Sequence, residues 1–544
     1  MPSSGRIGTC RSTILLKGSM NSLTSFSVLL SAAKKWPNQI AISESNKKIT
    51  YAELLALTLR VASSLRTLGV VPGDRVALLA PNCAEWIYVA LGIHAIGGVL
   101  LPINTRMKAL EIHDLLERSG AKVLFCANGF LGNEFSTIVS SHQPPTLKRM
   151  ISWRFDGEAQ GELAPSEVPL IDLLAGVSSK DMVVAQLFAE KIESDSYADL
   201  MFTSGTTGSP KGVISSHRQN IQAFNEWSKV VGLSHDDRYL IVNPFFHAFG
   251  YKAGWLSALI RGACIYPMAI FDVNKILKMI QDEKISFLPG PPTLFFSMIE
   301  HEDLSKFDIS SLRVAVTGAA TIPPSLIKDM RDVLQFNIVT TAYGLTECSG
   351  VATVCDPKSR DEIIAYTSGK ALPGVELKCV LPDGGSAKVG EPGEIYIRGY
   401  NVMQGYFNDP KATAEAIDHE GWLHTGDIGV LDQDGNLRIT DRLKNMYIAG
   451  GFNCYPAEIE KIMLMHEGLA QVAVVGIPDE RMGEVGKAFV VLKPETSITE
   501  QVLIDWCRAN MANYKVPRVV QFVKDFPLNA SGKVAKEELK KISA

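Results

Sequence analysis

Short apolar runs alternate with helical patterns through residues 22–198, and that alternation restricts the fold more than any other feature of the chain. KITYAELLALTLRVASSLRTLG has a helical pattern, DRVALLAP and AKVLFCA are strand-like, and residues 86–103 lie between those two. Strands separated by helices commit a chain to a parallel or mixed α/β sheet, because parallel neighbours need a crossover connection. Thr50 and Glu53 have the spacing of an N-cap and its capping-box partner at the start of the first of these helices. Residues 86–103 contain no charged side chain and approach the length of a membrane span. His94, the Gly97-Gly98 pair and Pro102 interrupt the run, so the reading is a buried helix turning into a buried strand.

With 544 residues the chain is long enough for two or more domains. A net charge of −4 with both signs interspersed leaves no electrostatic footprint for nucleic acid. The nine cysteines are odd in number and scattered, with no C-x-x-C pair, which argues against a zinc site or a disulfide framework and fits a reducing cytoplasm. Residues 1–19 lack acids and show neither a clear amphipathic period nor an apolar core. They are expected to be a disordered leader ahead of Met20, whether native, targeting or vector-derived, outside the fold.

Residues 199–216 read DLMFTSGTTGSPKGVISS: an apolar strand, a loop of glycines and hydroxyls, Pro-Lys-Gly, and a second β-branched run. Such a loop suits a polyphosphate, since glycines let backbone N–H groups approach, hydroxyls add donors and Lys211 adds a mobile positive charge. It is not a Walker A loop, because Pro210 and Gly212 break the required G-x-x-x-x-G-K-[ST] register. By composition alone it would be an ordinary surface hairpin. The order TSGTTGSPKG, however, resembles the phosphate-binding signature of the adenylate-forming superfamily, which includes acyl-CoA synthetases, peptide-synthetase adenylation domains and luciferases.

Other segments resemble that family in the same order along the chain. In NPFFHAFG the resemblance places Phe246 and His247 at the acyl pocket, together with Gly350 and Val351 of CSGVATV. LRVAVTGAA ends in Gly318, Ala319 and Ala320, which in relatives lie against adenine, while residues 286–292 read as a loop. In TAYGLTE, Tyr343 offers a flat face for adenine, Gly344 a close backbone approach and Thr346 a phosphate contact. Glu347 is a hard oxygen ligand suited to Mg²⁺. GWLHTGD ends in Asp427, which suits the two ribose hydroxyls from the end of a turn. Ile439 and Arg442 of LRITDR follow it at the ribose side. The resemblance assigns ATP to Thr203, Ser204, Gly205, Thr206, Thr207, Gly208 and Lys211, and to these later residues with Lys533.

The last hundred residues restart an α/β pattern. The expected division is an N-terminal domain over 20–442 and a small mobile C-terminal cap over 443–544, with Lys444 at the hinge. The resemblance puts Gly450, Gly451 and Phe452 on the CoA route, although relatives commonly carry Glu where Phe452 stands. It also makes Lys533, straight after Ser-Gly, the lysine that enters the adenylation site.

The implied fold is α/β, a large multi-subdomain N-terminal domain with a small C-terminal one. The implied activity is an ATP- and Mg²⁺-dependent acid–thiol ligase that forms acyl-AMP and transfers the acyl group to CoA, with Lys533, Lys211, Glu347 and Thr346 carrying the chemistry. No nucleic acid or transmembrane segment is expected, and a homodimer is compatible with the resemblance. Open alternatives are a carrier-protein phosphopantetheine as acceptor, a luciferase-like oxygenase, and a non-catalytic nucleotide-binding homologue, which would be expected to lack Lys533 or Glu347. The small apolar residues of the pocket segments favour a hydrophobic acid, whether medium-chain, alicyclic, aromatic or sterol-derived.

Overall fold

The computed structural model describes residues 23–543 except 46, 158–162, 165, 204–209, 319–321, 443–444, 450–451, 480–481, 512 and 529–533. Among the described residues the strands form four sheets, two of them large. One runs, in spatial order, Gly405–Tyr406, Lys211–Ser216, Tyr197–Thr203, Val99–Pro102, Arg75–Leu79, Val123–Asn128, Arg149–Arg154, Glu167–Pro169. The other runs Lys370–Ala371, Thr353–Val354, Ile338–Tyr343, Val314–Thr317, Phe287–Gly290, Arg238–Ile241, Cys264–Pro267, Ile40–Glu44, Lys47–Thr50. Their central strands pair in parallel. Continuous apolar runs form them because helices cover both faces, so every position of Val99–Pro102, Val123–Asn128 and Val314–Thr317 is buried.

The charge-free stretch is a helix, Ala84–Ala95, buried at every position except Glu85, followed by the buried strand Val99–Pro102. It packs so closely on the Tyr51–Thr67 helix that a Cβ on Gly92 would fall 2.4 Å from Val61 Cγ1. No described helix is long and apolar enough to cross a membrane. The Tyr51–Thr67 helix starts at the expected capping box: Glu53 N–H donates to Thr50 Oγ1 at 3.2 Å, and Thr50 N–H to Glu53 Oε2 at 2.8 Å.

A four-stranded antiparallel sheet follows, Val375–Val380, Gly393–Gly399, Leu423–Leu431 and Leu437–Arg442. Beyond it, the antiparallel hairpin of Leu469–Asp479 and Gly483–Leu492 joins Tyr447–Ala449, Phe452–Cys454 and the parallel strand Val519–Phe522. Helices Pro456–Met463 and Glu500–Asn510 cover this sheet, and Tyr447, Ile459, Met463, Val474, Val490 and Leu503 form a core of their own. The architecture is therefore α/β, with a large N-terminal and a small C-terminal domain.

Two local readings are corrected. Phe287–Gly290 is a buried central strand, although Pro289 suggested a loop. It pairs with Val314–Thr317 along its whole length but with Arg238–Ile241 only at Phe287, so Pro289 needs no donor on that side. Asp427 lies within the Leu423–Leu431 strand and not at the end of a turn. Glu394 pairs with Ile428 and Tyr396 with His424, so residues 425–427 bulge out opposite Ile395. Gly426 takes the φ of +68° that the bulge requires.

Candidate active site

The hairpin of Tyr197–Thr203 and Lys211–Ser216 pairs Thr203 with Lys211 at the end where residues 204–210 connect its strands. Thr203 Oγ1 donates to the Lys211 carbonyl at 3.4 Å. Arg118 braces the same end, donating to the Pro210 carbonyl at 2.7 Å and lying 5.2 Å over the Phe202 ring. Gly405–Tyr406 adds an edge strand, with Tyr406 opposite Val213 and Phe407 N–H donating to the Gly212 carbonyl at 2.7 Å.

Tyr406 then joins two residues 136 positions apart in sequence, Lys211 and Glu347. Its ring lies 4.9 Å from the Lys211 ammonium and its hydroxyl donates to Glu347 Oε1 at 3.1 Å. Burial, reinforced by the Glu347 charge, raises the phenol pKa above its ordinary value and keeps it a proton donor. Glu347 sits with Thr346 in the short 3-10 turn Thr346–Cys348, whose backbone is tied to the next segment by Met403 N–H donating to the Glu347 carbonyl at 2.8 Å.

The Ile338–Tyr343 strand runs beside Val314–Thr317, so Gly318 follows at a neighbouring strand end: a Cβ there would lie 3.3 Å from Thr341 Oγ1. Tyr343 is buried and its hydroxyl donates to Asp427 Oδ2 at 2.6 Å, which brings the Asp427 bulge to the end of this strand. The bulge is fixed by Gly426 N–H on Glu394 Oε1 at 3.0 Å and Asp427 N–H on Thr425 Oγ1 at 3.1 Å. Arg442 is the ladder partner of Asp427, and Ile439, opposite Gly429, is exposed. Gly344 has a packing reason to be glycine, since a Cβ would lie 2.5 Å from the backbone of Gly350 and Val351.

The aromatic-histidine segment is held by Asn82, a buried residue that no motif marked. Its Nδ2 donates to the carbonyls of Ile241 and Asn243 at 3.2 and 2.9 Å, and its Oδ1 accepts from Phe245 N–H at 2.7 Å. Phe246 is half-buried, His247 is exposed, and their rings stand 5.3 Å apart. The chain continues into a π-helix, Phe249–Leu256, broken at Gly254 with ψ −107°. π-turns inside helices recur at functional sites. Gly350, at φ +97°, packs against Ala248: its Cβ would lie 3.0 Å from Ala248 Cβ and 3.6 Å from Phe224 Cζ. Phe224, Trp227 and Phe249 form an edge-to-face series at 5.9 and 6.3 Å, so small residues meet an aromatic wall beside buried Val351.

Thus Thr203, Lys211 and Glu347 gather at one end, Gly318, Tyr343 and Asp427 at another, and Phe246, His247, Gly350 and Val351 on the apolar side. Ser204, Gly205, Thr206, Thr207, Gly208, Ala319, Ala320, Lys444, Gly450, Gly451 and Lys533 lie outside the described residues. Of Arg442 and Phe452 only the backbone is described. Sequence reading singled out neither Tyr406 nor Asn82, since their roles depend on contacts distant in sequence.

The comparisons with known proteins agree over nearly the whole chain. The family described as AMP-binding enzyme matches residues 29–407, and the AMP-binding enzyme C-terminal domain matches residues 458–533. A 3-[(3aS,4S,7aS)-7a-methyl-1,5-dioxo-octahydro-1H-inden-4-yl]propanoyl:CoA ligase of Rhodococcus jostii is 44% identical over 95% of this chain and 98% of its own. The Mycobacterium tuberculosis ligase of the same description is 43% identical over 94% and 97%. Among solved structures, an anthranilate CoA ligase in complex with anthranoyl-AMP has a TM-score of 0.84 at 25% identity, covering 95% of this chain and 97% of that one.

Proposed function

The chain belongs to the AMP-binding enzyme family and is an ATP-dependent acyl-CoA ligase, and we propose that its acid is a propanoate borne on a fused alicyclic ketone, activated where Lys211, Tyr406 and Glu347 meet. The juxtaposition of a cation and a carboxylate from distant segments at the mouth of the phosphate hairpin is the observation that carries this placement. For the acid, support comes from the ring-bearing substrate named for the Rhodococcus jostii and Mycobacterium tuberculosis relatives and from the wall of Ala248, Gly350, Phe224, Trp227 and Phe249.

In the first step a carboxylate oxygen attacks the α-phosphorus of ATP, and pyrophosphate leaves. In the second the CoA thiol attacks the acyl carbonyl, and AMP leaves. Carboxylate and triphosphate repel, so the protein must chiefly orient them and offset charge. Lys211 faces the phosphates, with Thr203 and the 204–208 donors around them, and Thr346 contacts a phosphate oxygen. Tyr343, Gly344 and Gly318 to Ala320 hold adenine, while Asp427, with Ile439 and Arg442 near it, holds the ribose. Lys533 serves the first step. Phe246, His247, Gly350 and Val351 hold the acyl group.

Mg²⁺ is part of this reading. Among the described residues no three His, Cys, Asp or Glu side chains gather into a metal cage. Glu347 fits the alternative, one carboxylate acting with substrate phosphates: Oε1 takes the Tyr406 hydrogen bond, and no other described hydrogen bond reaches the carboxylate. When bound, the ion would neutralise phosphate charge.

We place the domain seam at 442/443 with Lys444 as hinge, and Gly450, Gly451 and Phe452 on the CoA route. The eight described cysteines are buried thiols, which suits a reducing cytoplasm. The test is CoA-dependent AMP release across the fused-ring propanoate, octanoate, anthranilate and acetate. The highest kcat/KM is expected for the first and the lowest for acetate; a preference for octanoate would replace the alicyclic reading with a medium-chain one.

A further inference from the structure

Lys211 and Glu347 both approach Tyr406, yet no ion pair between them is present among the described residues. Opposite charges converging on one side chain would ordinarily collapse onto each other, and a collapsed pair would serve neither phosphate nor metal. We propose that Tyr406 is a positioning residue that holds this cation and this carboxylate apart, its ring seating the Lys211 ammonium and its hydroxyl aiming Glu347. The proposal rests on the ATP and Mg²⁺ reading of those two residues.

The placement of Tyr406 is built in by its backbone. It stands opposite Val213 on the edge of the phosphate hairpin, and its N–H donates to Thr413 Oγ1 at 2.9 Å. Gln404 N–H donates to the Ile214 carbonyl at 2.9 Å, so the segment is fixed on both sides of Gly405. Gly405 has φ +142°, and a Cβ there would lie 2.8 Å from Thr413 Cγ2, so the approach that delivers the ring requires glycine. Met403 N–H clamps the Glu347 backbone from the same segment. One short stretch thus fixes the distance between the phosphate hairpin and the Glu347 turn. A phenol is suited to the work because it is a neutral donor to a carboxylate and presents a π-face to an ammonium.

The experiment is calorimetric titration of ATP into the full chain without acid, where no turnover occurs, with and without Mg²⁺. Tyr406→Phe keeps the ring and removes the hydroxyl. It should reduce the gain in ATP affinity that Mg²⁺ brings by about 5–10-fold, while metal-free ATP affinity stays within about twofold. Tyr406→Leu removes the ring as well and should also weaken metal-free binding by about 3–5-fold, since Lys211 is released to pair with Glu347. Glu347→Gln should abolish the metal-dependent gain, and adding Tyr406→Phe to it should cost nothing further.

A Tyr406→Phe protein with the full Mg²⁺ gain, beside a Glu347→Gln protein that has lost it, overturns the positioning role alone. A full gain in Glu347→Gln overturns the metal reading and the proposal with it. Equal weakening of metal-free and metal-bound ATP by Tyr406→Phe would mean a structural role and also overturns the proposal. Unchanged melting temperatures exclude a folding defect as the source of any loss.

Discussion

Removing the ammonium of Lys252 should destabilise the large domain sharply, and removing its partner as well should repair most of the damage. Lys252 Nζ and Asp199 Oδ1 stand 3.1 Å apart with both side chains 0% exposed. Asn220 Nδ2 donates to Asp199 Oδ2 at 2.6 Å, and Lys252 Nζ donates to Ser215 Oγ at 3.2 Å. The Oδ1 contact is ionic without an aligned hydrogen bond. Burial pulls the Lys252 pKa below its ordinary value, and Asp199 opposes that pull. Lys252→Met therefore strands a buried carboxylate that keeps one good donor, a change expected to cost about 3–5 kcal/mol. The imperfect alignment puts this site toward the lower end.

Lys252→Met/Asp199→Asn leaves no stranded charge and retains an acceptor for Asn220, so it should recover all but about 1 kcal/mol. The assay is urea unfolding followed by the fluorescence of buried Trp86 and Trp255. A single variant costing under about 1 kcal/mol, or a double variant no more stable than the single, would mean that no charge is stranded at Asp199. The pair also has a functional position. Asp199 lies on the strand that ends at Thr203 and Lys252 on the π-helix after His247, so on the proposed placement of ATP and acid the single variant should raise KM for both together.

Three other outcomes are expected. Lys533→Ala should reduce acyl-adenylate formation about 100–1,000-fold, yet convert supplied acyl-adenylate and CoA to thioester, both half-reactions being followed by chromatography. Burial holds the His217 pKa at about 4 against an ordinary 6.5, and its Nδ1 accepts from Ser25 N–H at 3.5 Å, as a neutral ring does. The unfolded chain binds this proton first as pH falls, so the stability is full above 6.5 and is lost on going down through 4, by about 3 kcal/mol; His217→Gln should flatten that loss in denaturation at stepped pH. Gly350→Leu, at φ +97° and against Ala248, should lower stability by about 1–2 kcal/mol and shift preference toward smaller acids, whereas Phe224→Leu should shift preference toward bulkier rings, both at unchanged KM for ATP.

The parallel α/β class, the buried Ala84–Ala95 helix and the Thr50 capping box were legible because each follows from local periodicity or a three-residue spacing. The segments that the resemblance assigns to adenine, ribose and phosphate were visible as ordered motifs, which is a matter of order along the chain alone. What local sequence concealed was contact across distance. Tyr406 sits 59 positions from Glu347, Tyr343 sits 84 from Asp427, and Asn82 reaches 163 positions to Phe245. Pro289 misled because a proline argues against a central strand unless one side of the ladder is open. Asp427 misled because GWLHTGD looks like a turn, and only the register with Gly393–Gly399 reveals a bulge. Gly344 has a second reason to be glycine that local sequence did not show, the backbone of Gly350 and Val351 packed against it.

Attack of the carboxylate itself on the α-phosphorus can be followed by running the ligation with acid labelled in both carboxylate oxygens with oxygen-18 and reading the nucleotide product by mass spectrometry. The attacking oxygen bonds phosphorus, and the thiol later breaks the acyl carbon–oxygen bond, so that oxygen must leave on AMP. One labelled oxygen in AMP per thioester formed is the predicted result. Unlabelled AMP, or ADP with labelled inorganic phosphate, would contradict it.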